Sequence, residues 1–290
     1  MKHKIGIAGT GFVGSAVSTC FELLLKGKIE IREYDKFKNT ESLESVVKHS
    51  EVIFVCLPTP MQEDGRCDTS IVDSVCHEID SLSRREKTIV IKSTVSPGTT
   101  NKLAKKYKNH NFIFNPEHLT EKKFIEDFLN QDRIILGLTD KGQSRELDSL
   151  YHDFVSSQIK PAKIAYSSAT EAEISKYVNN CFLATKISFL NEIYEICEAS
   201  GVSYDKVVEL AKMDKRFGES HTKVPCGGDY GFSGKCFPKD LNSLIYYAKS
   251  LDLDPLVLES VWSKNLLVRS SHDWEDIPGA TTQNMNFKKE

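Results

Sequence analysis

None of the eight cysteines stands in a Cys-x-x-Cys pair, so a zinc site has no support in the spacing and no metal is expected. No apolar run approaches the roughly 18 residues of a membrane-spanning helix, which argues against a membrane partner. The net charge of −3 offers no basic footprint for nucleic acid. The opening MKHKIGIAGTGFVG is basic and then briefly apolar, but no small-residue cleavage site follows a long apolar core. With no export signal of that kind, the expectation is a cytoplasmic protein whose thiols are mostly small buried hydrophobes rather than disulfides. There is no internal repeat and no low-complexity tract. From Ser168 to Ser200 there is neither proline nor glycine.

What is present is ordinary globular composition, 40% hydrophobic and 27% charged, over 290 residues, enough for one large domain or two ordinary ones. In the first half short apolar runs alternate with amphipathic stretches. Lys4–Ala8, Ile29–Tyr34, Val52–Cys56, Thr88–Lys92, Phe112–Phe114, Arg133–Gly137 and Ala162–Ala165 read as strands. Phe12–Leu25, Glu41–Lys48, Thr69–Leu82, Thr99–Lys105 and Gly142–Val155 read as helices between them. That alternation predicts an α/β fold, a Rossmann-like, doubly wound parallel sheet over residues 1–166. The uninterrupted stretch after Ser167 carries Ile174, Val178, Cys181, Phe182, Thr185 and Phe189 at helical spacing. It opens an all-helical central and dimerisation domain over 167–270, with further helices at Tyr204–Lys212, Pro238–Ser250 and Pro255–Val268. Residues 271–290 read as a loosely held polar tail.

Gly9, Gly11 and Gly14 form G-x-G-x-x-G directly after a strand and at the start of a helix. The first allows a tight turn, the second lets backbone approach a pyrophosphate, and the third lets helix and strand pack. The helix start then faces the phosphates with unpaired N–H groups. A second strand ends at Asp35, 21 residues after Gly14, where a carboxylate meets ribose hydroxyls and repels a 2′-phosphate. The cofactor expected is NAD.

Three further segments carry residues capable of chemistry: Asn115–Glu121 (NPEHLTE) past a strand end, Lys176 and Asn180 four apart on the long helix, and Gly231–Asp240 (GFSGKCFPKD), with Cys236 ahead of a helix. GTGFVG, VCLPTP, DTS, KSTVSPGT, NPEHLTE, K-x-x-x-N and GFSGKCFPKD together resemble, in order and spacing, the UDP-glucose/GDP-mannose dehydrogenase family of nucleotide-sugar 6-dehydrogenases. The resemblance runs from Lys4 to about Arg269. It implies two successive oxidations of a nucleotide-sugar substrate, from CH2OH through aldehyde to carboxylate, with two NAD per sugar. Cys236 would trap the aldehyde as a thiohemiacetal and then become a thioester. Lys176 and Asn180 would stabilise oxyanions at C6. By the same resemblance Asp240 assists Lys176 or acts with water as base, and Glu121 and Thr94 position the hydrolytic water. Glu117, Ser233 and Arg216 would meet substrate, Arg216 that of a neighbouring subunit in a homodimer built on the long helix. Phe12, Val13, Lys36, Thr59, Thr94, Glu121 and Lys239 would join the cofactor set.

Two departures stand out. Ser233 occupies a place where the family usually has glycine, and costs about 1 kcal/mol or more if that position needs a positive φ. The family also usually continues into a C-terminal nucleotide-binding domain that residues 271–290 are too short to build. His118 stands where the family carries an aromatic or apolar residue, and it and Cys67 and Cys226 receive no role. Two other readings remain open: a two-electron β-hydroxyacid-type dehydrogenase, which needs no thiol, and a non-catalytic NAD-binding truncated homologue.

Overall fold

The structure, a computed structural model, describes residues 2–285. It comprises two compact units, one of residues 2–59 and 68–176, the other of 60–67 and 177–285. The division falls inside the long helix rather than at 166/167.

The first unit is a seven-stranded sheet with strands β1 (His3–Ala8), β2 (Ile29–Tyr34), β3 (Val52–Val55), β4 (Thr88–Ile91), β5 (Asn111–Phe114), β6 (Arg133–Leu138) and β7 (Lys163–Ser168). Their spatial order is β2-β1-β3-β4-β5-β6-β7. The central strands β3, β4 and β5 are buried along their whole length, as continuous apolar runs covered by helices on both faces must be. Helices α1 (Phe12–Leu24), α2 (Leu43–His49), α3 (Ser70–Leu82) and α4 (Thr99–Lys106) join the first five strands, and Ser42 caps α2 by accepting from the Ser45 N–H. Phe21 of α1 packs edge-on against Phe54, Phe128, Tyr151 and Phe154, with ring centroids 5.1–5.9 Å apart.

The expected parallel sheet is so only in part: β6 runs antiparallel to β5, with Ile113 opposite Leu138, and β7 runs parallel to β6. A parallel return needs a connection that travels back along the sheet. The link from β5 to β6 contains only the six-residue helix α5 (Phe124–Leu129), absent from the sequence expectation. It brings the chain into β6 at the end of the sheet where β5 left it. Helix α6 (Arg145–Ser156) then makes the crossover to β7.

Helix α7 (Ala169–Ala199) is a single 31-residue helix. The second unit takes its later turns with α8 (Tyr204–Ala211), α9 (Phe237–Lys249) and α10 (Leu256–Val268). Of the periodic apolar residues on α7, Cys181 is buried, while Val178, Phe182 and Phe189 are more than half exposed. The reading of 271–290 as a loosely held tail is corrected as far as residue 285. Trp274 is only 2% exposed, with its ring 5.3 Å from that of Trp262. The Met61 N–H donates to the Ala280 carbonyl at 2.8 Å, and the Thr282 N–H to that of Met61 at 2.9 Å. Average polarity hid one large apolar anchor. Residues 286–290 lie outside the described residues.

Candidate active site

In the first unit, β1, β3, β4 and β5 release the chain at the same end of the sheet, into Gly9, Cys56, Lys92 and Asn115. β1 lies between β2 and β3, so the chain order reverses there, and ligands of such sheets bind at that point.

The glycines of the first turn answer to different constraints. Gly9 has φ +95°, and a Cβ there would stand 2.5 Å from the Cys56 carbonyl oxygen. A Cβ on Gly14 would stand 1.9 Å from the Gly9 oxygen. Gly11 caps α1 with φ −66°, and a Cβ there would meet nothing within 4 Å. Only Gly11 opens onto unfilled space, at the positive end of a helix with no acidic residue in its first turn. Phe12 and Val13 follow, half-buried, with the Phe12 ring 6.4 Å from that of Phe124.

Asp35 stands past β2 and ties back to this turn. Its Oδ2 accepts from the Thr10 N–H at 2.8 Å and the Thr10 hydroxyl at 3.0 Å. Burial raises its pKa, but the N–H groups of Phe37 and Thr10, the Thr10 hydroxyl and Lys38 outweigh it, leaving the carboxyl below its ordinary range. An ionised carboxylate beside an open helix start suits the ribose and pyrophosphate of a dinucleotide, so these residues fit NAD. Lys36 is exposed next to it. Further along, the Thr59 hydroxyl donates to the Thr94 carbonyl at 2.7 Å, bringing these two expected residues together. Glu121 is exposed in the turn before α5.

A buried polar cluster lies at the ends of β4 and β5. Lys176, on α7, pairs with Glu117 at 3.1 Å, each side chain under one tenth exposed. Glu117 also accepts from the Leu119 N–H at 2.7 Å. Burial pushes its carboxyl up, but Lys176, the Leu119 N–H and Lys92 together hold it below the ordinary value. Beside it His118 is driven down to about 4 by burial and the charge of Lys176, with Nε2 buried and without a hydrogen-bond partner.

The second unit carries the cysteine loop. Cys236 is the N-cap residue of α9, Pro238 lies in the first turn, and the Asp240 N–H donates to the Cys236 carbonyl at 2.8 Å. Asp240 is buried; its Oδ2 accepts from the Asn180 amide at 2.5 Å and its Oδ1 from the Lys239 ammonium. Burial lowers the pKa of Lys239, but Asp240, Cys67 and Cys236 raise it further, to a net value above the ordinary one. Three expected residues, Asn180, Lys239 and Asp240, therefore form one hydrogen-bonded group, and Cys236 acts on Lys239 electrostatically. Arg216 stands apart, 91% exposed and bonded to Asp214. Ser233 is exposed and does not have a positive φ; the left-handed positions of the loop are Gly231 (+66°) and Gly234 (+75°). The strain considered for Ser233 therefore does not arise.

The sequence reading missed the residues that hold these groups. Asn265 of α10, fully buried, accepts from the Phe232 N–H at 2.7 Å and donates to its carbonyl at 3.1 Å. Asn191 of α7 accepts from the Gly231 N–H at 3.1 Å, and Asp273 from the Gly234 N–H at 3.3 Å. A lone asparagine in a helix carries no signal of this; the only hint for Lys92 and Asn115 was their place at strand ends.

Residues 22–155 match the model of the UDP-glucose/GDP-mannose dehydrogenase family, NAD binding domain, and residues 170–266 that of the family's central domain. The UDP-glucose 6-dehydrogenase of Rickettsia prowazekii (strain Madrid E) is 33% identical over 239 residues, covering 81% of this chain and 54% of that relative. The UDP-glucose 6-dehydrogenase of Pseudomonas aeruginosa is 34% identical over 301 residues, covering 90% and 65%. A UDP-glucose dehydrogenase from the hyperthermophilic archaeon Pyrobaculum islandicum superposes with a TM-score of 0.80 at 27% identity, over 92% of this chain and 68% of that one. The chain thus spans between about half and two thirds of the length of these relatives.

Proposed function

Because the chain belongs to the UDP-glucose/GDP-mannose dehydrogenase family, we propose that it carries out the NAD-dependent four-electron oxidation of a nucleotide-sugar C6 alcohol to the uronic acid. The observation that supports this most is Cys236 at the start of α9, ahead of the Asn180–Asp240–Lys239 group built on the buried Asp240. The other dehydrogenase chemistry considered has no use for a thiol there.

The Gly9–Gly14 turn and the start of α1 hold the pyrophosphate, and Asp35 takes the ribose and disfavours a 2′-phosphate. Phe12, Val13, Lys36, Thr59, Thr94, Glu121 and Lys239 complete this set. When bound, NAD supplies the hydride acceptor, one molecule for each oxidation. Lys176 and Asn180 stabilise negative charge on the C6 oxygen, and Asp240 orients Asn180 and takes up a proton through water. The Cys236 sulfur adds to the C6 aldehyde and holds it as a thiohemiacetal, an alcohol again open to oxidation. The helix start behind it and the Lys239 ammonium favour negative charge on sulfur. The second oxidation leaves a thioester, which water positioned by Glu121 and Thr94 cleaves to carboxylate and free thiol. Glu117 and Ser233 contact substrate. The exposed apolar face of α7 suits a second copy of the chain, with Arg216 reaching the neighbour's substrate. Dinucleotide-dependent oxidation of a nucleotide sugar suits the cytoplasm.

The test is NADH production from UDP-glucose, GDP-mannose, UDP-GlcNAc and UDP-ManNAc, with product stoichiometry. Two NADH per sugar are expected, and Cys236→Ser should cut turnover to the acid by at least about 10³-fold while NAD still binds. One NADH per substrate, unaffected by Cys236→Ser, replaces this reading with two-electron chemistry. NAD binding without NADH from any sugar replaces it with a non-catalytic protein.

A further inference from the structure

Glu173 is a buried carboxyl group of the first unit that the reaction above leaves unused. It lies on α7 about one turn before Lys176 and is 0% exposed. Its Oε1 accepts from the Thr100 N–H at 2.8 Å and the Thr100 hydroxyl at 2.6 Å, and its Oε2 from the Gly98 N–H. Gly98 is the N-cap residue of α4, in the left-handed region at φ +88°, and Thr100 lies in the first turn. The start of α4 is therefore capped by a side chain 75 positions further along the chain.

That source is unusual. A helix start is ordinarily capped by its own serine, threonine, aspartate or asparagine, as Ser42, Ser144 and Ser203 cap α2, α6 and α8. α4 has glycine at that place and no acidic residue in its first turn. Burial raises the pKa of Glu173 above the ordinary carboxylate value, against the pull of Thr100, Gly98 and Lys102. A local hydroxyl would cap α4 without burying a carboxylate. It could not tie α4 to α7.

What lies on either side of that tie gives it a purpose. On one side, the first turns of α7 rest directly on the sheet. A Cβ on Gly137 of β6 would stand 2.7 Å from the Ala172 Cβ and 2.9 Å from the Ala169 Cα. The Thr170 hydroxyl oxygen accepts from the Asn101 amide at 3.1 Å, a second link to α4. On the other side, Gly98 ends the loop that leaves β4 and carries Thr94. At its root Lys92 donates to the Asn115 side-chain oxygen at 2.8 Å. At its end the Ser96 carbonyl accepts from the Thr99 N–H at 3.1 Å and the Thr99 hydroxyl at 2.6 Å. One side chain thus joins the loop of Thr94 to the helix of Lys176.

We propose that Glu173 is a positioning residue: by capping α4 from α7 it fixes the loop that carries Thr94 and, three residues on, the placement of Lys176 beside Glu117. This rests on the oxidative function proposed above only for what Lys176 and Thr94 then do.

Glu173→Gln, which keeps the length of the side chain but cannot accept at both ends, tests it on the whole chain. In hydrogen exchange of the apoprotein the Gly98 amide, the Thr100 amide or both should exchange at least about tenfold faster, with those of α1 unchanged. The readout of position is the Leu119 amide, which donates to Glu117, the partner of Lys176. It should exchange about threefold faster or more, whereas a cap serving α4 alone would leave it as it was. In the NADH assay, well below melting, kcat should fall about tenfold while KM for NAD stays within about twofold, because the Gly9–Gly14 turn is untouched. Wild-type exchange at Leu119, at Gly98 and Thr100 together, or a wild-type kcat in the folded variant overturns the proposal. If Glu173→Gln does not fold, Glu173→Asp, charged but one methylene shorter, decides by the same Leu119 and kcat readouts. A wild type that makes no NADH defeats the functional reading instead, and the exchange at Leu119 still decides whether Glu173 places Lys176.

Discussion

Two glycine-bearing turns each deliver the chain into a helix start, and they are built on opposite principles. The Gly9–Gly14 turn is constrained by backbone: Gly14 must lack a side chain because the Gly9 carbonyl lies where its Cβ would be, and Gly9 because the Cys56 carbonyl after β3 stands against it. The Gly231–Cys236 loop is held by side chains from distant parts of the chain, Asn191, Asn265 and Asp273. A Cβ on Gly231 would stand 2.3 Å from the Asn265 side-chain oxygen, whereas one on Gly234 would meet nothing. A turn whose space is closed by backbone, its own and that of the neighbouring strand ends, is rigid and exacting in sequence. A loop clamped from outside can vary, as the serine at 233 does, provided the clamps stay.

The contrast is sharpened by substitution. The largest effect is expected for Gly14→Ala, where backbone must move to admit a methyl group. Stability should fall by about 3 kcal/mol and NAD affinity with it, read by denaturant melts and titration. Asn265→Ala should cost about 2 kcal/mol, since the Phe232 N–H and C=O are left buried and unpaired. It should slow turnover while leaving NAD affinity intact; a neutral outcome would mean the cysteine loop supports itself and the contrast fails. Gly11→Ala should leave stability within about 0.5 kcal/mol yet weaken NAD binding, because its Cβ enters space the protein leaves open. Equal losses for Gly11→Ala and Gly14→Ala in melts would show that the turn's glycines are all structural. The smallest change is expected for Asp35→Asn, a roughly tenfold fall in the preference for NAD over NADP with little change in melting, seen in paired titrations.

Much of the fold lay in local pattern. The alternation of apolar runs and amphipathic stretches located all seven strands, and β3, β4 and β5 most directly, because a strand buried on both faces can hardly be anything but a short apolar run. The 33 residues without glycine or proline predicted α7 nearly to its ends. The glycine turn and Asp35 were legible for the same reason: their constraints lie within the segment or one strand away. The reversal of β6 was not, since strand direction depends on where the connecting segment packs, and α5 is too short to be periodic. Nor was the packing of Trp274 and the residues after it, which depends on what they meet rather than on their mean polarity.

By itself, then, the sequence determined which segments become strands and helices, where a dinucleotide turn begins, and which side chains are chemically able to act. The tertiary structure alone decided that Lys176 is paired with Glu117, that Asp240 binds Asn180 and Lys239, and that Lys92, Asn191 and Asn265 stand behind them. Dihedral preference and hydrophobic period act over a few neighbours and so can be read along the chain. A tertiary hydrogen bond joins residues far apart in the chain, sixty positions from Asn180 to Asp240, and exists only once packing has excluded much of the water that would otherwise satisfy both.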